Sequence, residues 1–266
     1  MLYFPQLETG NVSHYPLTRR HVTRTIVNTA EGGHSIRTAD LGASQISWDL
    51  TYSGLSTQEW ASIEQLFERV QGRFGTFTFI DPTSNLLSWT EDFSKSVWTA
   101  DPLLQLTPGQ QDPVGGTNAT RVTNTAQTAQ RLVQQIDAPA SYQYCFSAYV
   151  RSAQTGTAKL LESATGGELL QPCAPGAGWS RVVLHGRLTA QTNGVAFGIE
   201  LPAGGQVDVF GVQLEAQSGA GTYKKNIDLG GVYPNSRFDL DELTVTTTGP
   251  NQHSSQITII SNLIPS

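Results

Sequence analysis

The sequence predicts a mainly β protein: a β-sandwich with one α-helix, interrupted by an all-β jelly roll. Three observations predict it. Short alternating runs, divided by Gly, Pro and Asn turns, recur along most of the 266 residues. One stretch alone carries a helical stripe with a cap. The final forty or so residues are too few to form a domain, so they must complete strands laid down near the start.

The helix lies in the first 85 residues. Ser56-Thr-Gln-Glu59 is a capping box, in which a hydroxyl and a carboxylate satisfy the orphan amide donors of the first turn. Trp60, Ile63, Leu66, Phe67 and Val70 follow at helical spacing and form one apolar stripe. Gly72 stops it, so the helix is predicted over about residues 56–71. On either side, Thr23–Val27, Ile46–Tyr52 and Phe74–Ile80 alternate in period two. Ile46, Trp48, Leu50 and Tyr52 share one buried face. Asp81-Pro82 is a turn that closes this section.

From Leu86 to Asn226 every ordered run reads as a strand. Ala119–Thr123, Gln130–Ile136, Tyr142–Val150, Trp179–Leu184, Val195–Ile199 and Val207–Leu214 are separated by turns such as Asp112-Pro-Val-Gly-Gly and Pro202-Ala-Gly-Gly. Even spacing of short strands implies a sandwich or jelly roll. Alternation resumes in Leu243–Thr246 and Gln256–Ile260, whose natural partner is the amino-terminal sheet. The domains are therefore expected as 1–85 plus 227–266, and 86–226.

Composition narrows the function. Charged residues are 14% and the net charge is −6, so no basic field favours nucleic acid or an anionic membrane. No run approaches transmembrane length. The opening Met1-Leu-Tyr-Phe lacks the basic end and apolar stretch of a signal peptide, which leads us to expect synthesis in a cytoplasm. Two cysteines, Cys145 and Cys173, make no disulfide framework or zinc motif. The five histidines are scattered, with no His-Glu-x-x-His and no Gly-x-Ser-x-Gly elbow. We expect no enzyme and no cofactor.

Several motifs carry a resemblance. Asn85-Leu-Leu, Glu91-Asp-Phe-Ser94, Trp98, Gly176-Ala-Gly-Trp179, Gly211-Val-Gln-Leu-Glu215 and Tyr223 occur in an order that resembles the carbohydrate-binding-like jelly rolls of phage tail fibres. Leu169–Cys173 departs from that pattern. The flanks resemble the phage distal tail proteins. Their marks are Phe4-Pro5, the Ile46–Tyr52 strand, the helix, Gly72-Arg-Phe74 and Asp81-Pro82, with Arg237-Phe-Asp-Leu-Asp241 returning to complete the sandwich. The resemblance implies a virion protein forming a hexameric ring of its own copies between tail tube and baseplate hub, with the inserted module facing host-surface polysaccharide. A tail-fibre or receptor-binding subunit is the alternative, and a polysaccharide-degrading enzyme a third.

Sugar binding uses aromatic faces and polar groups. The candidates are Trp89, Tyr142, Tyr144 and Tyr223, while Trp98 and Trp179 fall at motif positions expected to pack the core. Glu91 and Asp92 are oxygen donors suited to a structural calcium. Arg19, Arg20 and Arg24, near His21 and Arg37, form the one basic concentration, and Asp239, Asp241 and Glu242 are its expected partners across a subunit interface.

Overall fold

In the computed structural model, residues 1–152, 158–173 and 175–263 are described, Leu41 by its backbone only. The molecule is mainly β, with one α-helix among the described residues and its strands in three antiparallel sheets. It divides into two compact units. The first comprises Met1–Glu8, Val12–Phe79 and Tyr233–Ser266; the second comprises Thr9–Asn11 and Ile80–Val232.

The first unit contains β1 (His14–Thr29), β2 (Ser35–Leu55), α1 (Thr57–Val70) and β3 (Phe77–Ile80), the last ending at the boundary. After the second unit come β14 (Val232–Phe238), β15 (Thr246–Gly249) and β16 (Gln252–Asn262). The sheet order is β1-β2-β16-β14-β3, with β15 also on β16. Strand β16 thus lies between β2 and β14, which binds the chain's last segment to its first.

Period-two alternation sets the buried face of β2, where Ile46, Trp48, Leu50 and Tyr52 are all but inaccessible. Trp48 packs on Phe79 and Tyr233, and Phe4 on Phe77 and Phe79. Both halves of the capping box form: Glu59 N donates to Ser56 Oγ (3.1 Å) and Ser56 N to Glu59 Oε2 (2.8 Å). Trp60, Ile63, Leu66 and Val70 are buried, while Phe67 meets the ring of Phe238. The helix ends one residue earlier than its glycine suggests, because Gln71 itself takes the left-handed conformation (φ 57°).

Among the described residues β16 pairs with β2 as far as Gln45, with Leu263 N donating to Ser44 O just beyond, while β1 and β2 stay paired from there to Thr29 and Ser35. A two-stranded arm therefore runs past the sheet. It exposes Val22, Ile26, Val27 and Ile36.

The second unit is a sandwich of two five-stranded sheets. One has β4 (Trp98–Ala100), β7 (Gln130–Pro139), β9 (Ala158–Ala164), β10 (Gly167–Cys173) and β12 (Asn193–Leu201), in the order β10-β9-β12-β7-β4. The other has β5 (Leu104–Gln110), β6 (Ala119–Asn124), β8 (Tyr144–Arg151), β11 (Ser180–Gly186) and β13 (Gln206–Glu215), in the order β11-β8-β13-β6-β5. Tyr144 and Phe146 from one sheet meet Phe197 from the other at 5.2 and 5.8 Å between ring centroids. Leu132, Ile136, Leu160, Val195 and Ile199 fill the same core with Val150, Val207 and Val209. At Gly198 a Cβ would lie 1.9 Å from Leu132 O, so β7 and β12 pack at a distance that only glycine allows.

Candidate functional site

The two ends of the second unit are laid side by side. Asp81 N donates to Gly231 O, Trp89 N to Ile227 O and Thr90 N to Asn226 O. Asn85 joins them to β13: its Nδ2 donates to Val212 O (2.9 Å) and Lys224 O (3.1 Å), and its Oδ1 accepts from Leu214 N (3.0 Å) and Leu87 N (3.2 Å). Gln213 and the fully buried Glu215 act likewise on the other side. Gln213 Oε1 accepts from Lys224 N (2.6 Å), and Glu215 takes Gly221 N (2.8 Å) and Lys224 Nζ (3.1 Å). The chain after β13 thereby folds back over the outer face of its own sheet. Tyr223 lies against Gly211, whose φ of +59° and missing Cβ make room for the ring.

Beside this clasp lie two adjoining hollows of about 220 and about 360 Å³, which share Glu91, Asp92 and Asn118 as walls. Trp89, Lys225, Asn226 and Ile227 line the smaller. Phe93, Leu106, Pro108 and Thr120 help to line the larger. Trp89 has a φ of +50°, a left-handed conformation costly for a bulky side chain. Three bonds hold it there: its N–H donates to Ile227 O (2.6 Å), and its carbonyl accepts from Trp98 Nε1 (3.1 Å) and from Asp92 N (3.1 Å). Lys95 Nζ stands 4.5 Å from the Trp89 ring centroid.

The polar walls are fixed as firmly. Glu91 accepts from Tyr223 Oη (3.0 Å) and from Lys225 Nζ (2.6 Å). The Ser94 hydroxyl, then the Ser94 N–H and Lys95, hold the Asp92 carboxyl below the usual range, against a smaller upward push from burial. Burial raises the Tyr223 phenol, outweighing its bond to Thr90, so it remains a neutral donor. Asn118 reaches the hollows on a loop wound around buried Asp112, whose carboxylate accepts from Val114, Gly116 and Asn118 N–H groups. Carboxylates, amides and an aromatic edge around one hollow suit the hydroxyls and flat C–H faces of a sugar.

Of the aromatic candidates, Trp89 lines a hollow, and Tyr223 lies behind it as the residue that orients Glu91. Tyr144 is fully buried between the sheets, its hydroxyl given to Pro139 O (2.9 Å), and has no face to offer a ligand. Tyr142 is half-buried, its ring stacked on that of Tyr144 at 6.5 Å. Trp98 is core, against Phe93. Trp179 departs from expectation: it is half-exposed and lies against Arg151.

Glu91 and Asp92, the calcium candidates, direct their oxygens to Tyr223, Lys225, Ser94 and Lys95. Among the described residues no three His, Cys, Asp or Glu side chains converge as a metal site. The interface candidates have partners within their own chain. Arg19 donates to Tyr233 Oη, Arg20 pairs with Asp49 and Arg24 with Asp40. Asp241 accepts from Arg73 N, Glu242 from Thr244 Oγ1, and Asp239 donates its backbone N–H to Thr258 O. Sequence reasoning missed Asn118, Lys225 and Asn226. The one available signal was the Asp112-Pro-Val-Gly-Gly turn, whose composition marks a change of direction and says nothing of the residue it presents.

The sequence matches no protein-family model and no curated protein. Among solved structures it is similar to the enzymatically active domain of tailspike protein 4 of bacteriophage CBA120, at 13% identity and a TM-score of 0.40. That match covers 52% of this chain but spans 22% of the tailspike chain. TmCBM61 in complex with β-1,4-galactotriose is similar at 15% identity and a TM-score of 0.37, over 50% of this chain and 98% of that one. The CBM22-1–CBM22-2 tandem domain of Paenibacillus barcinonensis Xyn10C is similar at 14% identity and a TM-score of 0.42, over 65% and 60%.

Proposed function

We propose that the chain is a structural subunit of a phage tail that binds host-surface glycans through its second unit and assembles with further copies of itself through its first. The hollow beside Trp89 carries the binding half of this reading. A strained aromatic residue, its main chain pinned by three hydrogen bonds, stands there with Glu91, Asp92, Asn118 and Asn226 around it. Such pre-organised polar groups suit an uncharged sugar, held without turnover. The assembly half is supported by the arm of β1 and β2. A two-stranded ribbon with exposed Val and Ile is marginal in water by itself and gains from a neighbouring copy. With the sequence motifs of the flanks, this favours a ring at the distal end of the tail tube, next to the baseplate hub. A ring of six would present six binding units, and avidity multiplies weak contacts by about 10²–10⁴.

Light scattering on the purified chain is expected to give six copies per particle. Three copies would favour a fibre subunit, and a monomer at high concentration would remove the ring. Host polysaccharide is expected to retain the protein on a column and to release it on Trp89→Ala. New reducing ends after incubation would instead make it an enzyme.

A further inference from the structure

The outer face of the β11-β8-β13-β6-β5 sheet is covered only in part. Residues 216–226 cross it, and Tyr223 closes over Gly211 and Phe210. Beyond them the strand register sets out a row that this segment leaves open. Asp208 of β13 lies opposite Arg121 of β6 and Arg151 of β8. Ser180 pairs with Val150, which puts Trp179 beside Arg151. The next row is Phe210, Tyr149 and Arg181.

The row has unequal charge. Arg121 binds Asp208 with two nitrogens, Nε to Oδ1 at 2.8 Å and Nη2 to Oδ2 at 3.2 Å. Arg151 uses Nε alone, at 3.0 Å from Oδ2, and its terminal nitrogens have no hydrogen-bond partner among the described residues. Its guanidinium carbon stands 4.8 Å from the Trp179 ring centroid. Arg181, over Tyr149, adds a third guanidinium and gives its terminal nitrogens to Gly221 O and Ser147 Oγ. Three cations thus stand on the same face as buried Asp208, in a chain whose net charge is −6. Asp208 and Trp179 hold Arg151 in place, so its open fork loses little freedom on meeting an anion.

We infer that this row is a second binding site, for the carboxylate of an acidic sugar. The planar carboxylate matches the open edge of Arg151 bidentately, with Arg121 as the neighbouring charge. Trp179, partly exposed beside Arg151, provides the aromatic surface that a pyranose ring needs, while Tyr149 packs beneath Tyr223 and Arg181. A phosphate group alone would use the charge but leave that surface idle. The site shares no residue with the Trp89 hollow and binds a different class of sugar.

The test is calorimetry on the full chain with galacturonate, glucuronate and N-acetylneuraminate, as single sugars and short oligomers, against neutral galactose oligomers and inorganic phosphate. At least one acidic sugar is expected to bind, with phosphate weaker. Arg151→Gln should weaken binding about tenfold or more, Arg151→Lys should recover only part of it, and Arg187→Gln, on an exposed loop of the same unit, should match the parent. Trp179→Ala should weaken binding without lowering the melting temperature enough to unfold the chain. The inference is overturned if no acidic sugar binds, if phosphate competes as strongly as the sugars, or if Arg187→Gln loses as much as Arg151→Gln.

Discussion

The clasp around Asn85 and the row around Arg151 both rest on strand β13, yet they treat polar groups in opposite ways. In the clasp each side-chain polar atom of Asn85 is satisfied, and buried Glu215 accepts from a backbone amide, a side-chain amide and an ammonium. In the row, two nitrogens of Arg151 have no hydrogen-bond partner among the described residues and stand beside a partly exposed indole. Saturated groups fix a fold; open, pre-positioned groups can take a ligand. The sequence advertises the first kind. Asn-Leu-Leu and Gly-x-Gln-Leu-Glu are conspicuous because closure needs those residues at those places. Nothing local advertises the second.

The largest effect should come from breaking the clasp. Asn85→Ala leaves Leu214 N–H, Leu87 N–H, Val212 O and Lys224 O without their partner. A buried unsatisfied group costs about 1–3 kcal/mol, so a loss of about 4 kcal/mol or more is expected in urea denaturation of the second unit. A loss below about 1 kcal/mol would mean that other contacts close the module, and the contrast with the row would fail.

An effect of comparable size, confined to high pH, tests an open group that faces no ligand. Glu162 lies in the sandwich core opposite Phe197, and its Oε1 has no partner among the described residues. Burial pushes its carboxyl up to about 8 from an ordinary 4.5. Between those values the folded chain holds a proton that the unfolded chain has released. Its contribution is therefore intact below about pH 4.5 and is lost as pH rises through about 8, at about 1.4 kcal/mol for each pH step of one between them. Glu162→Gln is neutral at every pH. It should match the parent at pH 4 and exceed it by a few kcal/mol at pH 9. Equal stability at both would show that Glu162 finds a partner when charged.

Much of the fold was legible because its determinants are local. The capping box, the stripe from Trp60 to Val70 and the alternation from Ile46 to Tyr52 each follow from spacing within a few residues. The sites were less legible because they depend on register. Trp179 has the spacing of a core position, but pairing of Ser180 with Val150 puts it beside Arg151 on the open face. Tyr144, two residues after half-buried Tyr142, has its ring wholly inside the sandwich, a difference that aromatic content does not reveal. Arg121, Asp208 and Arg151 come from three strands far apart in sequence and meet only through hydrogen-bonded pairing.

The smallest effect concerns Trp89, where a satisfied main chain carries a side chain open to the hollow. Its φ of +50° suits glycine and strains any residue with a Cβ. Trp89→Ala and Trp89→Gly both remove the ring, but only the glycine variant also relaxes the main chain. Trp89→Gly should therefore be more stable than Trp89→Ala by about 1 kcal/mol, while both lose retention on host polysaccharide to the same extent. Equal stabilities would mean that the bonds to Ile227 and from Trp98 hold an unstrained turn. Retention kept by either variant would mean that the ring is packing and that the sugar is held elsewhere. The two variants thus separate the part of Trp89 that belongs to the clasp from the part that faces the ligand.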